Sequence, residues 1–324
     1  MRSRLSDVLD AAVVPGFSRV GYAVRSRLNN WQPVSSFDCS GKVFVITGPT
    51  AGLGRALTFQ LAATGAELVL VARNAEKLGE LVSELGQQFP QCTTHSVVAD
   101  ISDLSAVSHA SRAILTLTSR IDALIHNAGA LLPTRELTAE GREVTVTAHV
   151  LGPHLMTTLL LTVLRASHGR VITVSSGGMY AAALPSPDST FTLEMAPEKY
   201  DGTRQYAIAK RAQVTLNEMW ALREPDIFFA SMHPGWADTP GVQSSLPQFR
   251  RFTQPILRTA DQGADTIGWL AAVPQFPGKS GKFWSDREVR SIHKAPSSKR
   301  ADTPAARTAL WEWCESAIAP YVTA

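Results

Sequence analysis

The sequence predicts an α/β domain built on a doubly wound parallel sheet. Two observations carry that prediction: short β-branched runs alternate with helical periods from Lys42 onward, and the first run ends in a glycine-rich turn. The runs are KVFVIT (42–47), ELVLVA (67–72), THSVVA (94–99), DALIH (122–126), RVITV (170–174) and IFFASM (227–232), each bounded by turn residues. Between them, apolar residues recur at helical spacing over Gly54–Thr64, Ala75–Gln88, Leu104–Ser119, Gly141–Leu164 and Thr203–Leu222. Alternation of this kind needs right-handed crossovers, which put helices on both faces of the sheet. SGKFW (280–284) supplies a further strand. No repeat or Pro/Gly-rich linker divides the core, so residues 41–286 read as one domain. Residues 1–40 form an N-terminal appendage, and 287–324 a tail with a short helix carrying Trp311 and Trp313.

Composition narrows the function. Apolar residues make up 44% of the 324 and charged residues 18%, enough for a sizeable core and too apolar for general disorder. The net charge is +3, from 31 basic against 28 acidic residues, and the basic residues are dispersed, so nucleic acid is not expected as a partner. Cys39, Cys92 and Cys314 are odd in number and far apart, with neither a disulfide framework nor a CxxC pair. No apolar run reaches the ~18 residues of a membrane span, and the first thirty residues lack a secretory cleavage pattern. The expectation is a cytoplasmic protein. In the appendage, Leu5, Val8, Leu9, Ala12 and Val13 lie at helical spacing, with Arg2, Arg4, Arg19, Arg25 and Arg27 nearby. Two readings stand: a helix packed on the domain, or a basic amphipathic helix making peripheral contact with a membrane, which Asp7 and Asp10 weaken.

The first strand runs into Thr47-Gly48-Pro49-Thr50-Ala51-Gly52-Leu53-Gly54, and a helix follows. Glycines at a strand-to-helix turn let the backbone approach a pyrophosphate, and the helix N-terminus offers free N–H groups to its charge. The bland alternative is a tight turn alone. Further on, Tyr206 and Lys210 stand at i and i+4, hence on one face of a helix. A free phenol titrates near pH 10, and a nearby ammonium is expected to lower that value toward the working range.

These motifs, in this order, resemble the short-chain dehydrogenase/reductase family over about Gly41 to Asp286, most of the chain, and within it the retinol-dehydrogenase-like branch. The resemblance implies a Rossmann-like fold and a nicotinamide cofactor. Gly48, Thr50, Gly52, Leu53 and Gly54 match the TGxxxGxG loop, and Asp100 the adenine contact. Asn127, Ala128 and Gly129 match the NNAG segment, with His126 in place of its first Asn. Pro234, Gly235 and Thr239 match the segment over the nicotinamide. By the same resemblance Ser176 binds the substrate oxygen, Tyr206 is the general acid/base, and Lys210 also holds the nicotinamide ribose. Ser175 is the alternative serine, disfavoured because a one-residue slip turns its side chain to the other strand face.

One position departs from the pattern. Where the family places an Asn that kinks the fourth helix and holds a relay water, this chain has His149. An imidazole there either holds the water through a ring nitrogen or impairs the relay. The second strand ends in Arg73, followed by Asn74, where an acidic residue would select NAD. A guanidinium suits the 2′-phosphate of NADP(H), so NADP is expected.

The reading is therefore an NADP(H)-dependent oxidoreductase that moves a hydride between nicotinamide and a carbonyl or alcohol. Its alternative is a non-catalytic NADP-binding sensor or scaffold on the same fold. No G-x-S-x-G elbow supports a hydrolase, and His233 has no partner spacing for a metal. Val242, Leu246, Phe249, Phe252 and Ile256, within Gly241–Leu257, suggest an apolar lid and a lipophilic substrate such as a retinoid, steroid or fatty aldehyde. The family resemblance also implies homo-oligomers formed through the fourth and fifth long helices, with a monomer left open.

Overall fold

Five consecutive buried residues, Val43–Thr47, form β1 at the centre of the sheet. The structure is a computed structural model and describes residues 16–238, 250–251, 253–276 and 278–322. The other strands are β2 (Glu67–Ala72), β3 (Thr94–Val98), β4 (Ala123–His126), β5 (Arg170–Val174), β6 (Phe228–Met232), β7 (Lys282–Ser285) and β8 (Glu288–Arg290). Their order is β3-β2-β1-β4-β5-β6-β7-β8, parallel throughout except for the β7–β8 hairpin. The chain therefore reverses direction across the sheet between β1 and β4, the switch point at which open α/β sheets bind ligands beyond their strand ends.

The helices are α1 (Arg19–Leu28), α2 (Gly52–Ala62), α3 (Ala75–Gln88), α4 (Leu104–Leu117), α5 (Val144–Ala166), α6 (Gly202–Arg223), α7 (Ala260–Ala272), α8 (Pro296–Ala301) and α9 (Pro304–Val322). Several starts are fixed by side-chain caps: Asn74 accepts from Lys77 N, Asp103 from Ala106 N and Asp201 from Arg204 N. One apolar layer packs α4, α5, α6 and α9 on the sheet through residues such as Leu124, Leu155 and Phe229. The other packs α2, α3 and α7 through Ile46, Leu61 and Ile267. α5 is long and apolar enough to cross a membrane, but it is mostly buried inside the domain.

Three features correct or add to the sequence expectation. The short C-terminal helix is the 19-residue α9, whose Ala306, Leu310, Cys314 and Ile318 complete the first core layer. β8 is a three-residue charged strand made by a two-residue turn, Asp286–Arg287, with φ of 54° and 55°. The basic residues near the N-terminus do not form one solvated face, because Arg25 is buried against Asp286. The amphipathic stretch Leu5–Val13 lies outside the described residues.

Candidate active site

The cofactor end forms where β1, β2 and β4 deliver their loops side by side. Thr47 organises it: its hydroxyl accepts from Asn127 N and Ala128 N at 3.1 Å and donates to Ile125 O at 3.3 Å. Asn127 Nδ2 donates to the carbonyls of Thr47 and Gly48 at 3.1 and 3.0 Å. A Cβ on Gly48 would lie 2.8 Å from Ala128 Cα, and one on Gly54 would overlap the Gly48 carbonyl. The loop is thus packed so closely that only glycine fits, and α2 begins there without a side-chain cap for its first-turn N–H groups. A pyrophosphate fits such a cradle. Thr50 and Leu53 lie on the rim, part-buried.

Arg73 follows β2 directly, its side chain 80% exposed, with Nη1 3.8 Å from Asp100 Oδ2. The other Asp100 oxygen accepts from Ser102 N and Oγ at 2.8 and 2.6 Å. The Asn74 oxygen is occupied by the α3 cap, which leaves its amide nitrogen as the group facing outward chemistry. Pro234 and Gly235 lie beyond β6, Gly235 with φ of 75°. Thr239 and the apolar positions Val242, Leu246, Phe249 and Phe252 lie outside the described residues.

At the chemical end, Ser175 and Ser176 diverge as neighbours on a strand must. The Ser175 hydroxyl is buried and donates to the Lys210 carbonyl at 3.0 Å, fixing α6 against β5. Ser176 points to the opposite side, accepts from Gly178 N at 3.1 Å and stands beside the Tyr206 phenol, whose pKa it lowers. Lys210 Nζ lies 5.3 Å from the Tyr206 ring centroid and donates to the Val174 carbonyl at 2.8 Å. Ser176, Tyr206 and Lys210 are therefore brought together.

Their titration differs from expectation. Burial pushes the Tyr206 phenol up to about 12, and the neighbouring Ser176 hydroxyl only partly offsets it. Burial also pulls Lys210 down to about 7. The lowered phenol expected from the i, i+4 spacing is not present, because the amine sits over the ring face and is itself desolvated.

His149 occupies a π-helical turn, Thr147–Leu151, inside α5. Glu143, fully buried, anchors that turn by accepting from Thr145 N and Val146 N at 3.0 and 2.7 Å. The wider turn frees the His149 carbonyl, which accepts from Gln213 Nε2 on α6 at 2.7 Å. The imidazole packs edge-on to Tyr206, with ring centroids 5.2 Å apart. Room for it comes from Gly129, where any Cβ would overlap His149 Cε1. His149 Nε2 lies 3.0 Å from the Ala130 carbonyl. A carbonyl only accepts, so the proton sits on Nε2 and the buried Nδ1 keeps a lone pair with no partner among the described residues. Burial and the nearby Lys210 hold the ring neutral, its pKa well below the usual histidine value.

Behind the π-turn is a cavity of about 30 Å³, mostly apolar but lined in part by His126, His149, Gln213 and Asn217, and large enough for about two waters. His126 pairs its Nε2 with Thr157 Oγ1 at 2.9 Å, and burial pulls it down to about 3. Among the described residues no group of His, Cys, Asp and Glu is arranged to hold a metal.

A glycine cradle at the switch point thus stands beside a Ser–Tyr–Lys cluster. The family model for short chain dehydrogenase matches residues 42–184. Human dehydrogenase/reductase SDR family member 12 is 38% identical over 283 residues, covering 85% of this chain and 86% of that protein. Mouse polyprenol dehydrogenase is 30% identical over 256 residues, 76% of each chain. Among solved structures, an alcohol dehydrogenase from Thermococcus sibiricus complexed with 5-hydroxy-NADP aligns with a TM-score of 0.57 and 25% identity, over 72% of this chain and 91% of that one. The chain belongs to the short-chain dehydrogenase/reductase family of oxidoreductases. Within that family it is a retinol-dehydrogenase-like member.

Proposed function

We propose that this chain is an NADPH-dependent reductase of a lipophilic carbonyl, running also in reverse on the alcohol. The observation that carries the reading is the cluster at the end of β5: the Ser176 hydroxyl beside the Tyr206 phenol, with Lys210 against the same ring. Gly48–Gly54, Asn127–Gly129 and Pro234–Gly235 would hold the cofactor, with Arg73 at its 2′-phosphate. Bound nicotinamide supplies the hydride. Ser176 orients the substrate oxygen, and Tyr206, protonated through neutral pH, donates the proton that oxygen requires. Lys210 holds the ribose and regains full charge beside its hydroxyls. His149 takes the place of the relay Asn by accepting, through Nδ1, from a water that returns protons to Lys210. The cytoplasm suits three free cysteines, two of them buried.

The test is single-turnover oxidation of NADPH against a panel of aliphatic, terpenoid and steroid ketones and aldehydes, run on native protein and two His149 variants. Native protein is expected to oxidise NADPH with at least one lipophilic carbonyl. His149→Asn should stay active, and His149→Ala should lose turnover while binding NADPH normally. Because the ring is already neutral at pH 6.5, native activity should show no histidine limb there and should decline only well below it. NADPH binding without oxidation of any carbonyl, reversed by His149→Asn, would establish the sensor reading instead. A native rate in His149→Ala would make His149 a packing residue.

Self-association through α5 and α6 is opposed by α9, which lies across both. His154 on α5 bonds Glu315 on α9 at 2.9 Å and accepts from Trp220 of α6 at 3.2 Å. We infer a monomer, so sedimentation equilibrium should return a mass near 35.0 kDa; a stable dimer would sink the inference.

A further inference from the structure

Gly16–Ser18 cross the carboxyl ends of β5, β6 and β7, fastened to the loop after β6 by a buried charge cluster. The Phe17 carbonyl accepts from Trp236 N at 2.8 Å. Arg258, 1% exposed, donates to the carbonyls of Gly16, Ser18 and Pro234 at 3.1, 3.2 and 3.0 Å. The same guanidinium grips both Asp286 oxygens, at 2.6 and 2.9 Å. Arg25 of α1 bonds Asp286 as well and donates to the Gly16 carbonyl at 3.0 Å. Asp286 reaches the cluster from the β7–β8 turn, where its backbone is left-handed. Two buried cations share one buried carboxylate, and main-chain carbonyls take up further donors of both guanidinium groups. Removing Asp286 would strand two cations in the interior, and the bonds that both arginines make to the Gly16 carbonyl tie the segment to that cluster.

That fastening aims one side chain at the site. The Phe17 ring lies 4.4 Å from His233 and meets Trp236 edge-on at 5.9 Å, while Lys294 Nζ is 5.1 Å from its centroid. On the site side it rests on Gly177, the residue after Ser176, where a Cβ would be 2.8 Å from Phe17 Cε2. The ring thus fills the volume a side chain at 177 would occupy. Gly16 and Ser18 are buried, whereas Phe17 stays part-exposed, its ring against the residue that follows Ser176.

We propose that Phe17 is a specificity-determining residue: it walls the substrate mouth beside Ser176 and favours slim lipophilic carbonyls over compact bulky ones. The assignment rests on the reading that Ser176 receives the substrate oxygen. It gives the N-terminal segment a role in substrate choice, and it makes Arg25, Arg258 and Asp286 positioning residues that act through the Phe17 backbone.

The test separates binding from chemistry. Full-length protein saturated with NADP⁺, which cannot reduce a ketone, is titrated calorimetrically with 2-octanone and with 2-adamantanone. Phe17→Ala should shift the ratio of the two Kd values toward the cage ketone by roughly tenfold or more, as removal of a pocket wall does. Phe17→Leu should shift it less, in the same direction, and serves if the alanine variant folds poorly. A segment that only packs would change Tm and NADPH affinity without changing this ratio. A ratio within about twofold of native in a folded variant overturns the proposal. If native protein binds neither ketone, new binding of 2-adamantanone by Phe17→Ala supports the wall, and continued failure overturns it. Turnover with NADPH is scored separately: its absence removes the reductase reading, while the binding ratio still decides Phe17.

Discussion

Tyr206→Phe is expected to cut turnover by roughly 10²–10⁴-fold while NADPH still binds. The substitution removes one oxygen and little else. The ring keeps its edge-on packing with His149 at 5.2 Å and its place under Lys210 at 5.3 Å. What is lost is the phenol that stands beside Ser176. Burial pushes that phenol up to about 12, so it carries its proton throughout the neutral range and is poised to donate. Reduction should therefore vary little with pH on account of Tyr206, whereas alcohol oxidation, which needs the phenolate, should speed up as pH rises. Stopped-flow NADPH fluorescence reads both binding and hydride transfer in one experiment. Native turnover in Tyr206→Phe would remove Tyr206 from the chemistry. Lys210→Met gives the complementary result: with the amine gone from the ribose site, NADPH affinity should fall along with the rate.

How far these residues were legible depends on how local their signals are. β1 and β2 were readable because buried parallel strands need continuous apolar, β-branched runs, as in VFVIT and ELVLVA. β8 was not, since Glu288–Arg290 owes its pairing to a left-handed turn in which Arg287 stands where Gly is usual after Asp. Tyr206 and Lys210 announce themselves by spacing on one helix. The choice between Ser175 and Ser176 required knowing which strand face meets α6, and the Ser175 bond to the Lys210 carbonyl supplies it. His149 was visible as a departure, but its accommodation by Gly129 and the Ala130 carbonyl joins segments about twenty residues apart. The Arg25–Asp286 pair spans 261 positions, and no pattern in either neighbourhood points to the other. Phe17 was hidden for the same reason, because its significance comes from Gly177 and the loop after β6.

Arg73→Asp is expected to reverse a native preference for NADPH over NADH of at least roughly tenfold in Kd. The guanidinium extends from the carboxyl end of β2 next to the glycine loop, since Gly48 N donates to the Val71 carbonyl at 2.9 Å. It is 80% exposed, and its one acidic neighbour, Asp100, is 3.8 Å away. An exposed pair at that separation contributes little, so the guanidinium is free to turn onto a 2′-phosphate and form two charge-assisted bonds. Aspartate at 73 would repel the phosphate and accept instead from the two ribose hydroxyls of NADH. Arg73→Ala isolates the first effect: NADPH affinity should drop to the level of NADH with no gain for NADH. Because the attraction is between solvent-facing charges, the native preference should also narrow as salt rises from low to physiological ionic strength. Kd values for both cofactors, measured by fluorescence titration at two salt concentrations, check each step. Equal native affinities for NADPH and NADH would show that Arg73 does not read the 2′-phosphate.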